Sequence, residues 1–345
     1  MQAVVKYGQH DGEVELRDVP EPAPGPGQVL LEVAAAGVCG SDIEMWRHHV
    51  TFAVNTPVIQ GHEFAGTIAA LGEGVDEYQV GDRVVSETAA YICGRCPHCR
   101  AGEYNLCPER LGFGYGTNGA FCRYVAVPTR CLHRVPDGVP FEHACLTEPG
   151  CVSYNAIIVR SDPRPGEMCV VLGPGPIGLF AVQVARLAGC NPIVLVGTEA
   201  DAGRLEVGRT VGATHALVSG EDDVGTLVED LTGGFGAPLV VDAAGGSATL
   251  QLSMEIVARN GQITKIGWGP NPVGFSLDPI VQKAARLQGT FSHTWRTWEA
   301  VIGLIASGDM MMAPMATHDF SISQWERAYH LVEDREAVKV VLRPE

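Results

Sequence analysis

The stretch Met168-Cys169-Val170-Val171-Leu172-Gly173-Pro174-Gly175-Pro176-Ile177-Gly178 decides the fold. It opens on five apolar residues, two of them β-branched, which suit a buried strand. It then breaks into G-x-G-x-x-G and resumes as a helix-period run over residues 177–188. Each glycine in that pattern has its own task. Gly173 makes the tight turn, Gly175 lets backbone close on a pyrophosphate, and Gly178 lets the helix pack on the strand. Pro174, Pro176 and Ile177 fill the loop between them, and the helix start turns its free amides toward the phosphates. A bare G-x-G-x-x-G is a weak signal in a chain with 42 glycines. The strand before it and the helix after it make it a strong one.

The rhythm around this loop extends the reading. From about residue 153, strand-like runs (168–172, 192–196, 216–218, 238–242, 262–266) alternate with helical ones (177–188, 201–211, 224–231, 248–258). Such alternation predicts a doubly wound parallel sheet in an α/β protein. The acid that holds the cofactor ribose belongs about 20 residues past the loop. Glu199 stands there, in Val196-Gly197-Thr198-Glu199, and its carboxylate favours NAD by repelling a 2′-phosphate. Gly197, Thr198 and Arg204 would instead admit that phosphate, so NADP stays open.

Residues before about 150 read differently. Short β-type runs (29–34, 64–70, 83–86, 123–127) are separated by PAPGPGQ, GEG and VGDR, the pattern of an antiparallel, loop-rich β domain. A tail from about residue 291 holds two helical segments, 297–307 and 323–333, and a closing strand at 338–342.

Two clusters of metal-ligating residues lie in the β-rich part. Cys93, Cys96, Cys99 and Cys107 follow C-x2-C-x2-C-x7-C among polar neighbours, the pattern of a surface lobe closed around one structural zinc. The competing iron–sulfur run requires three residues before its fourth cysteine, where this chain has seven. Cys39, His62 and Glu148 supply a thiolate, an imidazole and a carboxylate. Three protein ligands with one open position are the layout of a catalytic zinc.

Composition excludes several function classes. The chain has 345 residues, enough for two domains. Its net charge of −16 and pI near 5.1 oppose binding to nucleic acid or anionic membrane surfaces. The longest apolar stretch, 168–189, is interrupted by glycines, prolines and Arg186, and is not a membrane span. The N-terminal residues carry charge and no apolar core of a signal peptide. Cysteines 122, 131, 145, 151, 169 and 190 mostly sit among apolar neighbours, so free buried thiols in a reducing compartment, the cytoplasm, are expected.

Taken in order, GVCGSD (37–42), GHEFAG (61–66), the four-cysteine lobe, VGDRV (80–84), GPGPIG (173–178) and the closing strand resemble the zinc-dependent medium-chain alcohol dehydrogenases over essentially the whole chain. Glu148-Pro149 is similar to the sorbitol (polyol) and threonine dehydrogenase branch, where a carboxyl residue replaces a second cysteine. The resemblance implies a GroES-like catalytic domain built from residues 1–152 and 291–345, and a Rossmann domain over 153–290. It implies two zinc ions per chain, NAD with NADP possible, and a homo-oligomer, tetramer or dimer. It implies that Cys39 and His62 hold the catalytic zinc, with Glu63 entering or leaving the shell and Glu148 bound directly or through water. Ser41 matches the hydroxyl that bonds the substrate alcohol, and Gly267 and Phe291 pass near the nicotinamide. The activity implied is hydride transfer between a secondary alcohol (polyol, sugar or cyclitol) and NAD(H), with zinc as Lewis acid on the oxygen.

Two departures stand out. The family's proton-relay histidine, five residues past the first cysteine, is Glu44 here, and Ser292-His293 replace the Arg-Tyr pair of the polyol site. Trp46, His48, His49, Phe113, Tyr115, His293 and Trp295 are further candidate walls of the site, with plain packing as the alternative. Val301–Ala306 and Met310–Met312 are candidate interface or candidate core. Alternative functions are an NADP-linked enzyme, a threonine-type or apolar secondary-alcohol dehydrogenase and, in a different class, a non-catalytic nucleotide sensor with a decayed metal site.

Overall fold

The computed structural model describes residues 1–269 and 271–344. They form two compact units. One contains Met1–Glu148, His293–Gly308 and Ala316 onward; the other contains Pro149–Ser292 and Asp309–Met315.

The first unit is built on mostly antiparallel pairing, with Ala316–Ser321 and Lys339–Arg343 paired in parallel. Its main sheet runs in the spatial order Ala316–Ser321, Lys339–Arg343, Gln28–Gly37, Glu63–Leu71, Arg83–Ser86 and Leu132–Arg134, with Tyr124–Pro128 also paired to Gln28–Gly37. The ten-residue strand Gln28–Gly37 alternates half-buried and buried positions along most of its length, the period-2 pattern of a strand with one face in the core. Register shifts between Leu30 and Leu31 and between Val33 and Ala35 bend it against its neighbour. Val29, Leu31, Val33, Phe64, Ile68, Phe121 and Tyr329 fill the core of this unit. C-terminal residues thus complete a sheet begun by N-terminal ones: Val341 and Leu342 face Gly37 and Ala36.

The second unit is a six-stranded, wholly parallel sheet. Its order is His215–Val218, Ile193–Gly197, Cys169–Leu172, Ala237–Asp242, Val257–Lys265 and Arg286–Gly289. In order of sequence these strands read 3-2-1-4-5-6, the Rossmann arrangement. Val170, Leu172, Val194, Val196, Val240 and Ile263 are buried in its core, so the strand Cys169–Leu172 sits at the sheet centre, as its apolar run predicts. The α/β class and both architectures match the sequence reading. Val301, Ile302, Ile305, Met310 and Met312 are buried within the chain, so packing accounts for them and no interface is required.

Candidate active site and metal centres

Glycine chemistry builds the nucleotide loop. Gly173 has φ +99°, and a Cβ there would lie 2.9 Å from Ala244. A Cβ on Gly178 would lie 1.8 Å from the Gly173 carbonyl oxygen, so only glycine permits the helix to pack this closely. At Gly175 a Cβ would meet no protein atom within 4 Å. Packing therefore does not explain that glycine, and the space beside it would let a ligand's phosphates approach the backbone. Gly175 caps the twelve-residue helix Pro176–Leu187 without a side-chain bond, which leaves first-turn amides for an anion. Gly267 donates its N–H to the Asp242 carbonyl at 2.9 Å, and a Cβ there would lie 2.4 Å from the Gly245 nitrogen. The carboxyl ends of three parallel strands thus gather around glycines, the usual seat of a dinucleotide. Phe291 stands 6.1 Å, ring to ring, from the half-exposed Trp268.

Glu199 begins a short 3₁₀ turn just past the strand Ile193–Gly197 and is exposed. Asp201 accepts hydrogen bonds from the Thr198 amide at 3.0 Å and hydroxyl at 2.7 Å, and lies 3.7 Å from Arg204. The one arginine that would favour a 2′-phosphate therefore has an acid against it.

The four-cysteine lobe has the geometry its spacing predicts. The sulfurs of Cys93, Cys96, Cys99 and Cys107 all lie within 4.8 Å of one another. Cys93 Sγ is 3.6 Å from Cys107 Sγ and 4.0 Å from Cys99 Sγ. A tetrahedron with Zn–S of about 2.3 Å has edges of about 3.8 Å, so the donor set fits zinc. Amides of Cys96 and Cys99 donate to the sulfurs of Cys93 and Cys96 at 3.4 Å each. Backbone N–H groups pull the Cys93 thiol down to about 6, while burial and the neighbouring thiols push Cys99 up to about 12, so without a metal the four sulfurs do not all carry charge.

The second donor set comes from two places in the chain. Cys39 precedes the helix Gly40–Trp46, while His62 and Glu63 enter the strand Glu63–Leu71. Ligand atoms of these three residues lie within 4.8 Å of one another. Asp42, wholly buried, braces two of them. Its Oδ2 accepts the Cys39 amide at 2.9 Å, and its Oδ1 lies 3.6 Å from His62 Nδ1. A carboxylate facing Nδ1 would leave Nε2 as the nitrogen available to a metal. Burial alone would lower the His62 pKa. Asp42 and Cys39 outweigh it and hold it well above the ordinary range. Ser41 Oγ is 3.5 Å from His62 Nε2, beside the same opening.

Glu63 lies against a buried lysine that sequence reading did not single out. Lys339 Nζ donates to Glu63 Oε1 at 2.6 Å and to the Val38 carbonyl at 2.9 Å. Burial pushes the Glu63 carboxyl up against the pull of Lys339. Glu148, buried in the first turn of the helix Thr147–Tyr154, is not within the 4.8 Å set, though its charge acts on Glu63. Its Oε1 is bonded to His293 Nε2 at 3.1 Å, and His293 Nδ1 accepts from Trp298 Nε1 at 2.7 Å. Burial pushes the Glu148 carboxyl up, but the His293 bond and the nearby cations bring it below its usual value.

Other candidates fall outside this group. Glu44 is exposed, its carboxylate 3.8 Å from His49. Trp46 is core, edge-on to Trp325 and Tyr329, and Phe113 packs on Phe64. His48 and His49 are exposed, and Tyr115 packs beside Phe52.

These donor sets and the glycine loop match known proteins throughout the chain. The family described as alcohol dehydrogenase GroES-like domain matches residues 25–137, and zinc-binding dehydrogenase matches residues 176–307. A sorbitol dehydrogenase of Halalkalibacterium halodurans is 38% identical over 345 residues, covering 100% of this chain and 99% of its own. The chain belongs to the zinc-dependent medium-chain alcohol dehydrogenases. Another relative of this dehydrogenase is an L-threonine 3-dehydrogenase of Pyrococcus horikoshii, 34% identical over 333 residues and covering 95% and 94% of the two chains. An alcohol dehydrogenase from Thermus sp. ATN1 has the same fold, with a TM-score of 0.90, 31% identity and full coverage of both chains. The dehydrogenase is therefore a zinc- and NAD(P)-dependent oxidoreductase. The decayed-sensor reading finds no support, because Cys39, His62 and Glu63 remain assembled. No helix among the described residues is long and apolar enough to cross a membrane.

Proposed function

We propose that this dehydrogenase oxidises the secondary hydroxyl of a polyol, sugar alcohol or cyclitol, with NAD as the preferred acceptor. The observation that carries the proposal is a second buried carboxylate, Glu148, which lies outside the 4.8 Å set of Cys39, His62 and Glu63 but within electrostatic reach of His62 and Lys339. A carboxylate-rich shell is harder than a two-thiolate shell, and the relative named sorbitol dehydrogenase spans the whole chain. Cys39 and His62 hold the catalytic zinc, joined by Glu63 or by Glu148 acting directly or through water. The four-cysteine lobe holds the structural zinc. When bound, the catalytic ion supplies Lewis acidity toward the substrate oxygen. The protein's own part is positional. Asp42 holds the Cys39 backbone and sets a negative charge beside His62, Lys339 balances the Glu63 charge, and Ser41 Oγ accepts the substrate hydroxyl proton while passing its own proton on toward solvent.

NAD is favoured over NADP because Glu199 stands exposed past the second strand and Asp201 engages Arg204. One observation favours a second reading, a threonine-type amino-alcohol substrate. His293, standing where polyol enzymes place a substrate residue, is buried and turned to Glu148. We also propose a homo-oligomer, dimer or tetramer. Its support is the edge strand Arg286–Gly289, which carries the exposed Leu287 close in sequence to the exposed Val281. We place it in the cytoplasm, where its unpaired thiols remain reduced.

The test is a panel of polyols, cyclitols, sugars, threonine and simple secondary alcohols, each with NAD and NADP, followed by nicotinamide absorbance. Polyol or cyclitol turnover with NAD, lost in Cys39→Ser together with one of two zinc ions, is the expected result. Turnover confined to threonine or to apolar alcohols would overturn the substrate class. A higher kcat/KM with NADP would overturn the cofactor preference.

A further inference from the structure

We propose that His293, held in one tautomer by Trp298, is a positioning residue that aims the Glu148 carboxylate at the catalytic zinc. This rests on the reading of Glu148 as a member of that zinc's shell.

The argument is one of donors and acceptors. An indole N–H can only donate. Trp298 Nε1 lies 2.7 Å from His293 Nδ1, so that nitrogen accepts and carries no proton. The ring proton then resides on Nε2, which lies 3.1 Å from Glu148 Oε1 and donates to it. One carboxylate oxygen is thereby occupied, and the other is left for the metal or its water.

The surroundings permit no easy alternative. His293 is 1% exposed and Trp298 is 0% exposed. Trp298 stacks on His133 at 5.4 Å and 9° between planes. His133 is itself held by Glu87 at 3.2 Å and by Glu299 at 2.5 Å. A buried chain of packed and bonded groups therefore fixes the indole, the indole fixes the tautomer, and the tautomer fixes the carboxylate. Both ring nitrogens are engaged, so His293 offers no atom to a substrate hydroxyl. The position that polyol enzymes use to read substrate is used here to orient a metal-shell acid.

The experiment follows zinc release from the holoenzyme to a chromogenic chelator, 4-(2-pyridylazo)resorcinol, with cobalt(II) substitution as a spectroscopic readout. Variants are His293→Phe, His293→Gln, Trp298→Phe, Glu148→Ala and Cys39→Ser. Loss of a second-layer partner weakens metal binding by roughly 10- to 100-fold. His293→Phe is expected to weaken retention of the more labile zinc by about that factor and to shift the cobalt spectrum, with the lobe zinc unchanged. His293→Gln keeps an N–H donor of similar reach and should restore most of the retention. Trp298→Phe, which removes only the indole donor, should move retention the same way by a smaller factor, and it serves if His293→Phe does not fold. Wild-type retention in both His293→Phe and Trp298→Phe overturns the proposal, as does a Gln variant no better than Phe. If Glu148→Ala or Cys39→Ser keeps both zinc ions at wild-type rates, the reading of the metal shell itself falls, and this inference with it.

Discussion

Replacing Lys339 with Met tests the charge balance beside the catalytic donors. Lys339 is 1% exposed and Glu63 is 0% exposed, with Nζ 2.6 Å from Oε1. Methionine fills similar volume without charge, so the change isolates the ammonium. An unpaired buried carboxylate costs about 3–5 kcal/mol at neutral pH. Burial already raises the Glu63 carboxyl, and without Lys339 it rises further. A group whose folded pKa exceeds its unfolded one contributes fully below the unfolded value and loses that contribution as pH rises through the folded value. The deficit of Lys339→Met is therefore smallest in acid. It grows by up to about 1.4 kcal/mol per pH unit until the folded pKa is passed. Urea unfolding of zinc-free protein at pH 5.5 and 7.5 measures this, and zinc-free protein is used so that no metal charge replaces the ammonium. The deficit should widen by about 1–3 kcal/mol between the two, and Glu63→Gln/Lys339→Met should recover most of it. A loss that is equal at both pH values, or a double variant no better than the single one, would refute the reasoning.

Further outcomes are expected elsewhere. Tyr104 donates to both Glu87 oxygens, at 2.7 and 2.8 Å, so Tyr104→Phe should cost about 1–3 kcal/mol in urea unfolding while leaving two zinc ions bound. Gly175→Ala should leave the thermal midpoint nearly unchanged but weaken NADH binding by at least about 10-fold in a fluorescence titration. Gly178→Ala should unfold the loop itself and lower the midpoint. In zinc-stripped native protein at pH 8, iodoacetamide should label the half-exposed Cys93 fastest, and Cys99, pushed up to about 12 by burial and its neighbouring thiols, more slowly. Cys122 and Cys131, which burial pushes up to about 12, should stay unlabelled by peptide mass.

What was legible in the sequence followed from how local each constraint is. The glycine loop and the cysteine lobe each lie within about a dozen residues, so their spacing alone encodes the geometry. The parallel sheet announced itself through alternation of strand and helix periods. Long-range pairs left fainter marks. Lys339 interrupts an otherwise apolar closing strand, Ala337-Val338-Lys339-Val340-Val341-Leu342. A lone cation in such a run signals a buried partner, but not that the partner is Glu63, 276 positions away. Asp42 is present in GVCGSD, directly after Ser41, but nothing local marks it as lying against both Cys39 and His62.

The pairing of His293 with Glu148 had no signal at all, because 145 residues separate them and neither sits in a periodic pattern. That pairing also occupies the position where the resemblance to polyol dehydrogenases implies a substrate residue. A motif reports which ion a site binds, because ligand chemistry dictates residue type. The choice of alcohol depends on groups that touch the ligands from behind or from the side, and several side chains satisfy the same geometry there. In this chain the polar hydrogens at that position are spent within the protein, between an indole, an imidazole and a carboxylate. Under the proposed function, His293 is committed to Glu148 and Trp298, and substrate hydroxyls are read by other groups.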